Sequence, residues 1–162
     1  MGTGPIIPTV YFDNCLVGAL VKGDHPAEMP ALGVLMHEHF AGRLTIFAST
    51  EALGEIEKLP AQYRGQHLGV YQQFRQLPAA NVTWIDQPNV RSTDPDYQRA
   101  RDILPDETDR RHVVHAVKHG VEYFATVDRR TILNRKDLLE TAFPTKFGTP
   151  TEIARALHLP MM

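Results

Sequence analysis

Acidic residues stand where strand-like segments of the sequence end. Asp13 directly follows the apolar segment 6–12, and Asp128 directly follows the apolar segment 123–127. Four further acids lie on or next to two predicted helices. Glu51 and Glu55 are on the helix after the second strand, and Asp106 and Asp109 flank the start of the helix before the fourth strand. Carboxylate oxygens are the ligands that Mg²⁺ prefers, and two such ions ~3.5–4 Å apart can activate water in phosphodiester hydrolysis. These residue types therefore predict a divalent-cation site suited to phosphate ester chemistry.

Each acid also has a purely structural interpretation. A single Asp after a strand is usually a turn residue or a helix cap, and Asp109 could simply complement the dipole of its helix. The joint placement of several acids favours a cation site. Carboxylates without a compensating charge repel one another and raise one another's pKa, so gathering them would cost stability unless a cation were bound. Glu51 and Glu55 lie four residues apart on nearly the same helix face, so spacing does not separate these two candidates.

Strand-like and helix-like apolar periods alternate along the chain, and they define the elements that must position the acids. The predicted strands are 6–12, 44–47, 81–85, 123–127 and a short one near 146–147. The predicted helices are 16–21, 27–40, one from a cap at Ser49 or Thr50 to Leu59, 62–77, one from a cap at Thr93 to Leu104, one from a cap at Thr108 to His119, and a last one opened by a capping box at 149–152. Such alternation predicts an α/β fold with a mostly parallel sheet covered on both faces. Sites in these folds form at the carboxyl ends of the strands, where the acids are predicted.

Composition limits the class of protein. The chain has 162 residues, is 43% hydrophobic and carries a formal charge of −2, which predicts one folded domain over residues 1–162 and excludes disorder as its main state. The single Cys15 excludes a disulfide scaffold. No apolar run approaches the ~20 residues of a membrane-spanning helix. We therefore expect a cytoplasmic domain without membrane contact.

Several stretches of the sequence resemble the motifs of the PIN-domain nucleases. Val10-Tyr11-Phe12-Asp13 resembles the opening strand of that family, and 49–57 resembles its second motif, with Glu55 in the place of the acid. The segment 109–128 is the closest match, since it has an Asp-led helix, then Gly120, then an apolar strand ending in Thr126-Val127-Asp128. The segment 148–152 resembles the last strand and closing helix. The resemblance covers nearly the whole chain in the right order.

This resemblance implies a three-layer α/β/α sandwich and a metal-dependent endoribonuclease. By position it implies that the catalytic and metal-binding acids, which would hold Mg²⁺ or Mn²⁺, are Asp13, Glu55, Asp109 and Asp128. The same comparison gives Thr126 and Asn14 supporting roles and makes Asp106 an accessory acid. Many small bacterial members are toxins of toxin–antitoxin pairs, so the implied partners are an RNA substrate, an antitoxin protein and a second copy of the chain.

The sequence departs from the family pattern directly after Asp13. The family usually has Thr or Ser and then Asn there, whereas this chain has Asn14 and Cys15. The departure leaves open an alternative, a catalytically degenerate module that binds RNA or a protein partner. A different metal-dependent hydrolase or phosphotransfer fold with acids at the same strand ends is a further alternative.

Basic and histidine side chains surround the predicted site. Four basic residues follow Asp128 and are predicted to hold RNA phosphates: Arg129, Arg130, Arg135 and Lys136. A solvated surface would account for the same charges equally well. His112, His115 and His119 fall on one side of a helix. They predict a polar stripe beside the core, because Val113 stands where a zincin motif requires Glu.

Overall fold

A five-stranded parallel sheet forms the centre of the protein. The computed structural model describes residues 6–22, 25–58, 68–85 and 91–160, with the side chains of 20–22 excepted. The strands are β1 (Thr9–Phe12), β2 (Thr45–Ser49), β3 (Thr83–Ile85), β4 (Tyr123–Ala125) and β5 (Lys146–Gly148). Their order across the sheet is β3-β2-β1-β4-β5, and every neighbouring pair is parallel. The predicted parallel sheet is therefore confirmed.

Helices cover both faces of this sheet. They are α1 (Cys15–Lys22), α2 (Met29–Phe40), α3 (Thr50–Glu57), α4 (Leu68–Gln76), α5 (Pro95–Ile103), α6 (Glu107–Lys118), α7 (Lys136–Ala142) and α8 (Pro150–Ala156). Short 3-10 turns precede α2 and α7 and follow α4. No helix in the described ranges has the length and apolar character that crossing a membrane requires. The predicted three-layer α/β/α architecture is confirmed.

Side chains that alternate along β1 enter two separate cores. Val10 and Phe12 pack with residues of α1–α4 and α8, whereas Tyr11 packs with residues of α5, α6 and α7. Successive side chains of a strand point to opposite faces, so a strand buried on both faces reads as a continuous apolar run. This explains why the three residues directly before Asp13, Val10-Tyr11-Phe12, form a continuous apolar run.

The order of the strands creates a crevice beside β1. The chain passes from β1 to β2 and β3 in one direction, and then returns to β4 and β5 on the other side of β1. Connections leave β1 and β4 toward opposite sides of the sheet, which opens a gap at their carboxyl ends, and ligands of open α/β sheets bind in such gaps. Asp13 follows β1 at this point, and Asp128 stands three residues after β4.

Several predicted boundaries differ from the observed ones. The first strand begins at Thr9, after Pro8, whose nitrogen has no hydrogen to donate to a ladder. Two predicted caps are wrong. Asp94 caps α5 in place of Thr93, and Asp106 caps α6 in place of Thr108, because each aspartate accepts a hydrogen bond from a backbone N–H of the first turn. Ser49 and the capping box of Thr149 and Glu152 are confirmed as caps.

One helix was not predicted. The seven residues of α7 bury Leu139 alone among their side chains, so the segment is too short to display a helical apolar period. The predicted break at 23–24, the predicted end at 59–60 and the first part of the predicted helix 62–77 lie outside the described residues.

Candidate functional site

Thr126 connects the two aspartates at the ends of the central strands. Its Oγ1 donates a 2.7 Å hydrogen bond to Asp13 Oδ2 and accepts one of 3.0 Å from the backbone N–H of Asp128. The backbone N–H of Asp13 extends the ladder between β1 and β4 by bonding the carbonyl of Ala125 at 3.0 Å. Thr126 is fully buried and Asp13 is 7% exposed. The supporting role predicted for Thr126 thus has a direct geometric basis.

The Asp128 carboxylate is fixed by a residue of the loop after β4. The backbone N–H and the hydroxyl of Thr131 donate to its two oxygens at 3.0 and 2.5 Å. Asp followed three residues later by Thr is a local turn pattern in which a carboxylate accepts from the chain ahead of it. That pattern was visible in the sequence, but Thr131 was not predicted as a site residue.

Asp109 lies in the first turn of α6, among the other acids. Burial, together with the negative charges of Asp13, Asp106 and Asp128, raises the pKa of its carboxyl to about 6, against the lowering effect of a hydrogen bond from Thr131. Asp106 caps the helix by accepting a 3.0 Å hydrogen bond from the backbone N–H of Asp109. The structure therefore brings the start of α6 to the ends of β1 and β4, as predicted.

Burial also raises the pKa of the Asp13 carboxyl, and the nearby Asp128 charge adds to the effect. Hydrogen bonds from Thr126 and Cys15 and the proximity of His112 act in the lowering direction. Two of the three aspartates are therefore held where their charged forms are disfavoured. A bound cation would reverse this penalty, because it stabilises carboxylates in the charged state.

Glu51, and not Glu55, is the glutamate that the structure joins to the site. Glu51 Oε2 accepts a 2.6 Å hydrogen bond from Asn14 Nδ2 and lies 3.4 Å from His112 Nε2. The Glu55 carboxylate pairs with Lys58 at 3.8 Å, its side chain is 57% exposed, and no contact joins it to the aspartates within the described residues. Helix α3 turns the earlier of the two glutamates toward the end of β1, so the structure favours Glu51, and the role assigned to Glu55 by the resemblance stays a prediction.

Asn14 links Glu51 to Ser49 by two side-chain hydrogen bonds. Its amide oxygen accepts a 2.8 Å hydrogen bond from Ser49 Oγ, which leaves its nitrogen to donate to Glu51. The supporting position predicted for Asn14 is therefore occupied by a fully oriented amide that links the end of β1 to the start of α3.

His112 differs from the two other histidines of α6. Its ring is 4% exposed, and its Nδ1 lies 2.8 Å from the Tyr11 hydroxyl. His119 is exposed and bonds the carbonyl of His115 on its own helix. The predicted polar stripe therefore describes His119 but not His112, and neither Tyr11 nor His112 was predicted as a site residue.

Cys15 lies directly against the buried aspartate. Its Sγ is 3.2 Å from Asp13 Oδ2 and 3.2 Å from Thr126 Oγ1. Burial and the neighbouring Asp13 charge raise the pKa of the thiol. Cys15 therefore acts as a hydrogen-bond donor to Asp13 and not as a thiolate.

The four predicted RNA-binding residues occupy different environments. Arg129 and Arg130 are exposed directly after Asp128 and have no ionic partner in the described part of the chain. Arg135 donates to the carbonyls of Arg130 and Thr131, and Lys136 pairs with Glu152 at 3.5 Å. Only the first two have charges available to a phosphate without breaking an existing contact.

The donor set matches the chemistry of a hard divalent cation. All its candidate ligands are carboxylate oxygens, which suit Mg²⁺ and Mn²⁺. Across residues 6–22, 25–58, 68–85 and 91–160, no group of three or more His, Cys, Asp or Glu is arranged to hold a metal ion. Mg²⁺ is commonly bound through one or two carboxylates, with water and phosphate oxygens completing the shell. A site of that kind would need only one or two of the carboxylates gathered here.

Comparison with known proteins assigns no family to the chain. No protein-family model matches it, and no curated protein matches its sequence. The function is therefore argued from the geometry and charge of the site.

Proposed function

We propose that the protein is a metal-dependent endoribonuclease that hydrolyses RNA phosphodiester bonds. The observation that carries the proposal is the gathering of Asp13, Asp109 and Asp128 at the carboxyl ends of β1 and β4. Two of these carboxyls have raised pKa values, so the cluster is unfavourable unless a cation or a proton offsets its charge. The resemblance of the sequence to PIN-domain nucleases supports the same activity.

The residues have distinct roles in this proposal. Asp13, Asp109 and Asp128 would hold Mg²⁺ or Mn²⁺ directly or through water, and Glu51 would complete the acidic surface. Thr126 and Thr131 orient the carboxylates of Asp13 and Asp128. A bound divalent ion supplies a water of lowered pKa and stabilises charge on the leaving oxygen.

Arg129 and Arg130 would position the RNA backbone beside these acids. Both are exposed and directly follow Asp128 in the chain. Phosphate contacts by arginine fix the register of a nucleic acid and carry no sequence information themselves. We therefore assign these residues to affinity and not to the choice of RNA.

The decisive experiment is RNA cleavage by purified protein on a panel of structured RNAs. Cleavage should require Mg²⁺ or Mn²⁺, stop in EDTA and be lost in Asp13→Asn. The matched control is Asp137→Asn, which changes an exposed aspartate in the first turn of α7. Absence of cleavage together with absence of Mn²⁺ binding by calorimetry would reject the proposal.

A second candidate is a non-catalytic module that binds RNA or a protein. Two observations favour it. Among the described residues, no three side chains of His, Cys, Asp or Glu are arranged to hold a metal ion. In addition, the thiol of Cys15 donates a hydrogen bond to the Asp13 carboxylate. RNA binding that is unchanged by EDTA, without cleavage, would distinguish this candidate from the nuclease.

The resemblance also extends the proposal to a biological role. Because many small bacterial members of the PIN-domain family are toxins, the protein would be a cytoplasmic, homodimeric toxin. An antitoxin protein that covers the acids would neutralise it. Induced expression should then arrest growth, and Asp128→Asn should abolish the arrest. Normal growth during expression of protein that cleaves RNA would reject the toxin role while retaining the nuclease.

A further inference from the structure

Tyr11 and His112 form a buried polar pair behind the acidic site. The Tyr11 hydroxyl lies 2.8 Å from His112 Nδ1, and the two residues are 101 positions apart in the chain. Tyr11 is fully buried and His112 is 4% exposed. The Tyr11 ring also stacks on Phe124, with ring centres 5.1 Å apart and planes inclined by 19°. A phenylalanine at position 11 would make the same packing contacts, so the Tyr11 hydroxyl has a role other than filling the core.

The direction of the Tyr11 hydrogen bond determines which ring nitrogen of His112 carries hydrogen. The Glu51 carboxylate, which can only accept, lies 3.4 Å from His112 Nε2, so it favours hydrogen on Nε2 and leaves Nδ1 to accept from the Tyr11 hydroxyl. The Nδ1 atom that receives this bond must be an acceptor, and a neutral imidazole then carries its hydrogen on Nε2.

Two side-chain nitrogens lie against one oxygen of Glu51. His112 Nε2 lies 3.4 Å from Glu51 Oε2, and Asn14 Nδ2 donates to the same oxygen at 2.6 Å. Ser49 orients the Asn14 amide through a 2.8 Å hydrogen bond. Glu51 Oε1 has no hydrogen-bond partner among the residues that the structure describes. The carboxylate is thus held by one oxygen and keeps the other available.

We propose that Tyr11 and His112 are positioning residues, in which the Tyr11 hydroxyl fixes the Nε2–H tautomer of His112 and His112 orients Glu51 at the acidic site. This inference rests on the proposed function for its consequence in metal binding. Residues that orient a ligand through such a bond typically change metal affinity by about 10–100-fold. The 3.4 Å contact is longer than an ordinary N–H···O hydrogen bond, and hydrogen bonds at catalytic sites are often long until the ligand is bound.

The first test is ¹⁵N NMR of the His112 ring in the intact protein at a fixed neutral pH. The ring of the wild-type protein should show the Nε2–H tautomer, and Tyr11→Phe should give a mixture of the two tautomers. Glu51→Gln should shift the Nε2 signal. The matched control is Tyr97→Phe, which removes a hydroxyl from the same core and should leave the His112 signals unchanged. A wild-type ring with hydrogen on Nδ1, or an Nε2 signal unaffected by Glu51→Gln, would overturn the proposal.

The second test separates metal affinity from turnover. In RNA cleavage assays, Tyr11→Phe should raise the Mn²⁺ concentration for half-maximal rate by about ten-fold, while kcat at saturating Mn²⁺ stays within about two-fold. His112→Gln should retain more Mn²⁺ affinity than His112→Ala, because the Gln amide can replace the Nε2 donor. His119→Gln, on the same helix, is the matched control. Equal Mn²⁺ affinities for wild type and Tyr11→Phe would contradict the positioning role.

The two tests separate failure of this inference from failure of the proposed function. If the wild-type protein neither binds Mn²⁺ nor cleaves RNA, the nuclease proposal fails. The tautomer of His112 and its response to Glu51→Gln still decide whether Tyr11 and His112 orient Glu51.

Discussion

Thr126 donates its hydroxyl proton to Asp13 Oδ2 over 2.7 Å, and both residues are buried. This bond joins the loop after β4 to the end of β1, at the point where the strand order reverses. The same hydroxyl oxygen accepts from the backbone N–H of Asp128. One side chain therefore sets the separation of the two aspartates that the sequence analysis placed at strand ends.

Removing the Thr126 hydroxyl should destabilise the protein. In Thr126→Val, Asp13 loses a buried donor and Asp128 loses an acceptor for its N–H, and leaving one buried polar group unsatisfied costs about 1–3 kcal/mol. Urea unfolding monitored by circular dichroism measures the change. Thr141→Val is the control, because the exposed Thr141 hydroxyl bonds a carbonyl of its own helix. Equal losses in the two variants would refute the assigned role of Thr126.

Neutralising the central aspartates should abolish activity. Asp13→Asn and Asp128→Asn nearly preserve side-chain shape but remove the charge that binds a divalent ion, so we expect RNA cleavage to fall by at least about 100-fold at limiting Mg²⁺. Rates over a Mg²⁺ titration measure the effect. If Asp128→Asn cleaves RNA as fast as wild type at limiting Mg²⁺, the site assignment is wrong.

The two glutamates of α3 should behave differently. Glu51→Gln should lower Mn²⁺ affinity, because Glu51 is held beside the aspartates by Asn14 and His112. Glu55→Gln removes only an exposed pair with Lys58, a contact worth about 0–1 kcal/mol, and should leave affinity unchanged. Calorimetric titration with Mn²⁺ compares the two variants directly. A larger loss in Glu55→Gln would restore the assignment made from the sequence.

Asp109 should destabilise the metal-free protein at neutral pH. Its folded pKa of about 6 lies above its ordinary value of 3.8. Well below pH 3.8 the carboxyl is protonated in both the folded and the unfolded state and does not change the free energy of unfolding. As the pH rises to 6, the unfolded state ionises first, so stability falls, and above 6 the full penalty remains.

Replacement of Asp109 by Asn removes that penalty. In EDTA at pH 7.5, Asp109→Asn should therefore be more stable than wild type by about 1–2 kcal/mol after allowance for solvent screening, and this difference should vanish below about pH 3. Melting temperatures across this pH range provide the measurement. Added Mg²⁺ should stabilise wild type more than the variant, and an identical pH profile for both proteins would contradict the predicted shift.

The exposed arginines should contribute to RNA affinity through charge. Replacing Arg129 and Arg130 by Gln should weaken binding to all RNAs alike and reduce the slope of log K against log salt by roughly one per lost phosphate contact. Fluorescence anisotropy at several salt concentrations measures this slope. Arg155→Gln changes an exposed arginine of α8 and serves as control. A slope that is unchanged in the double variant would place the RNA elsewhere.

The fold was largely predictable because its signals are local. Residues 10–12 and 123–127, which precede Asp13 and Asp128, are buried on both faces of the sheet, and strands of this kind appear in a sequence as continuous apolar runs. The capping box at Thr149 and Glu152 is likewise local. The caps Asp94 and Asp106 were missed because Thr and Asp are both good caps, and a shift of one or two residues changes which one starts the helix.

The acids of the site were predictable for a different reason. Parallel strands bring their carboxyl ends to one edge, so the sequence by itself determined that Asp13 and Asp128 would meet there. It also fixed the residue types that suit a hard cation. It left Glu51 and Glu55 equivalent, since positions four apart on a helix share a face.

Only the tertiary structure decided between those glutamates and paired Tyr11 with His112. The docking of α3 places Glu51 against Asn14 and His112, and no local rule fixes that docking. Tyr11 and His112 are 101 residues apart. From the sequence alone, Tyr11 is indistinguishable from an ordinary core residue and His112 from an ordinary surface residue. Their partnership exists because β1 and α6 pack together across one core, which depends on the free energy of the whole fold and not on any single segment.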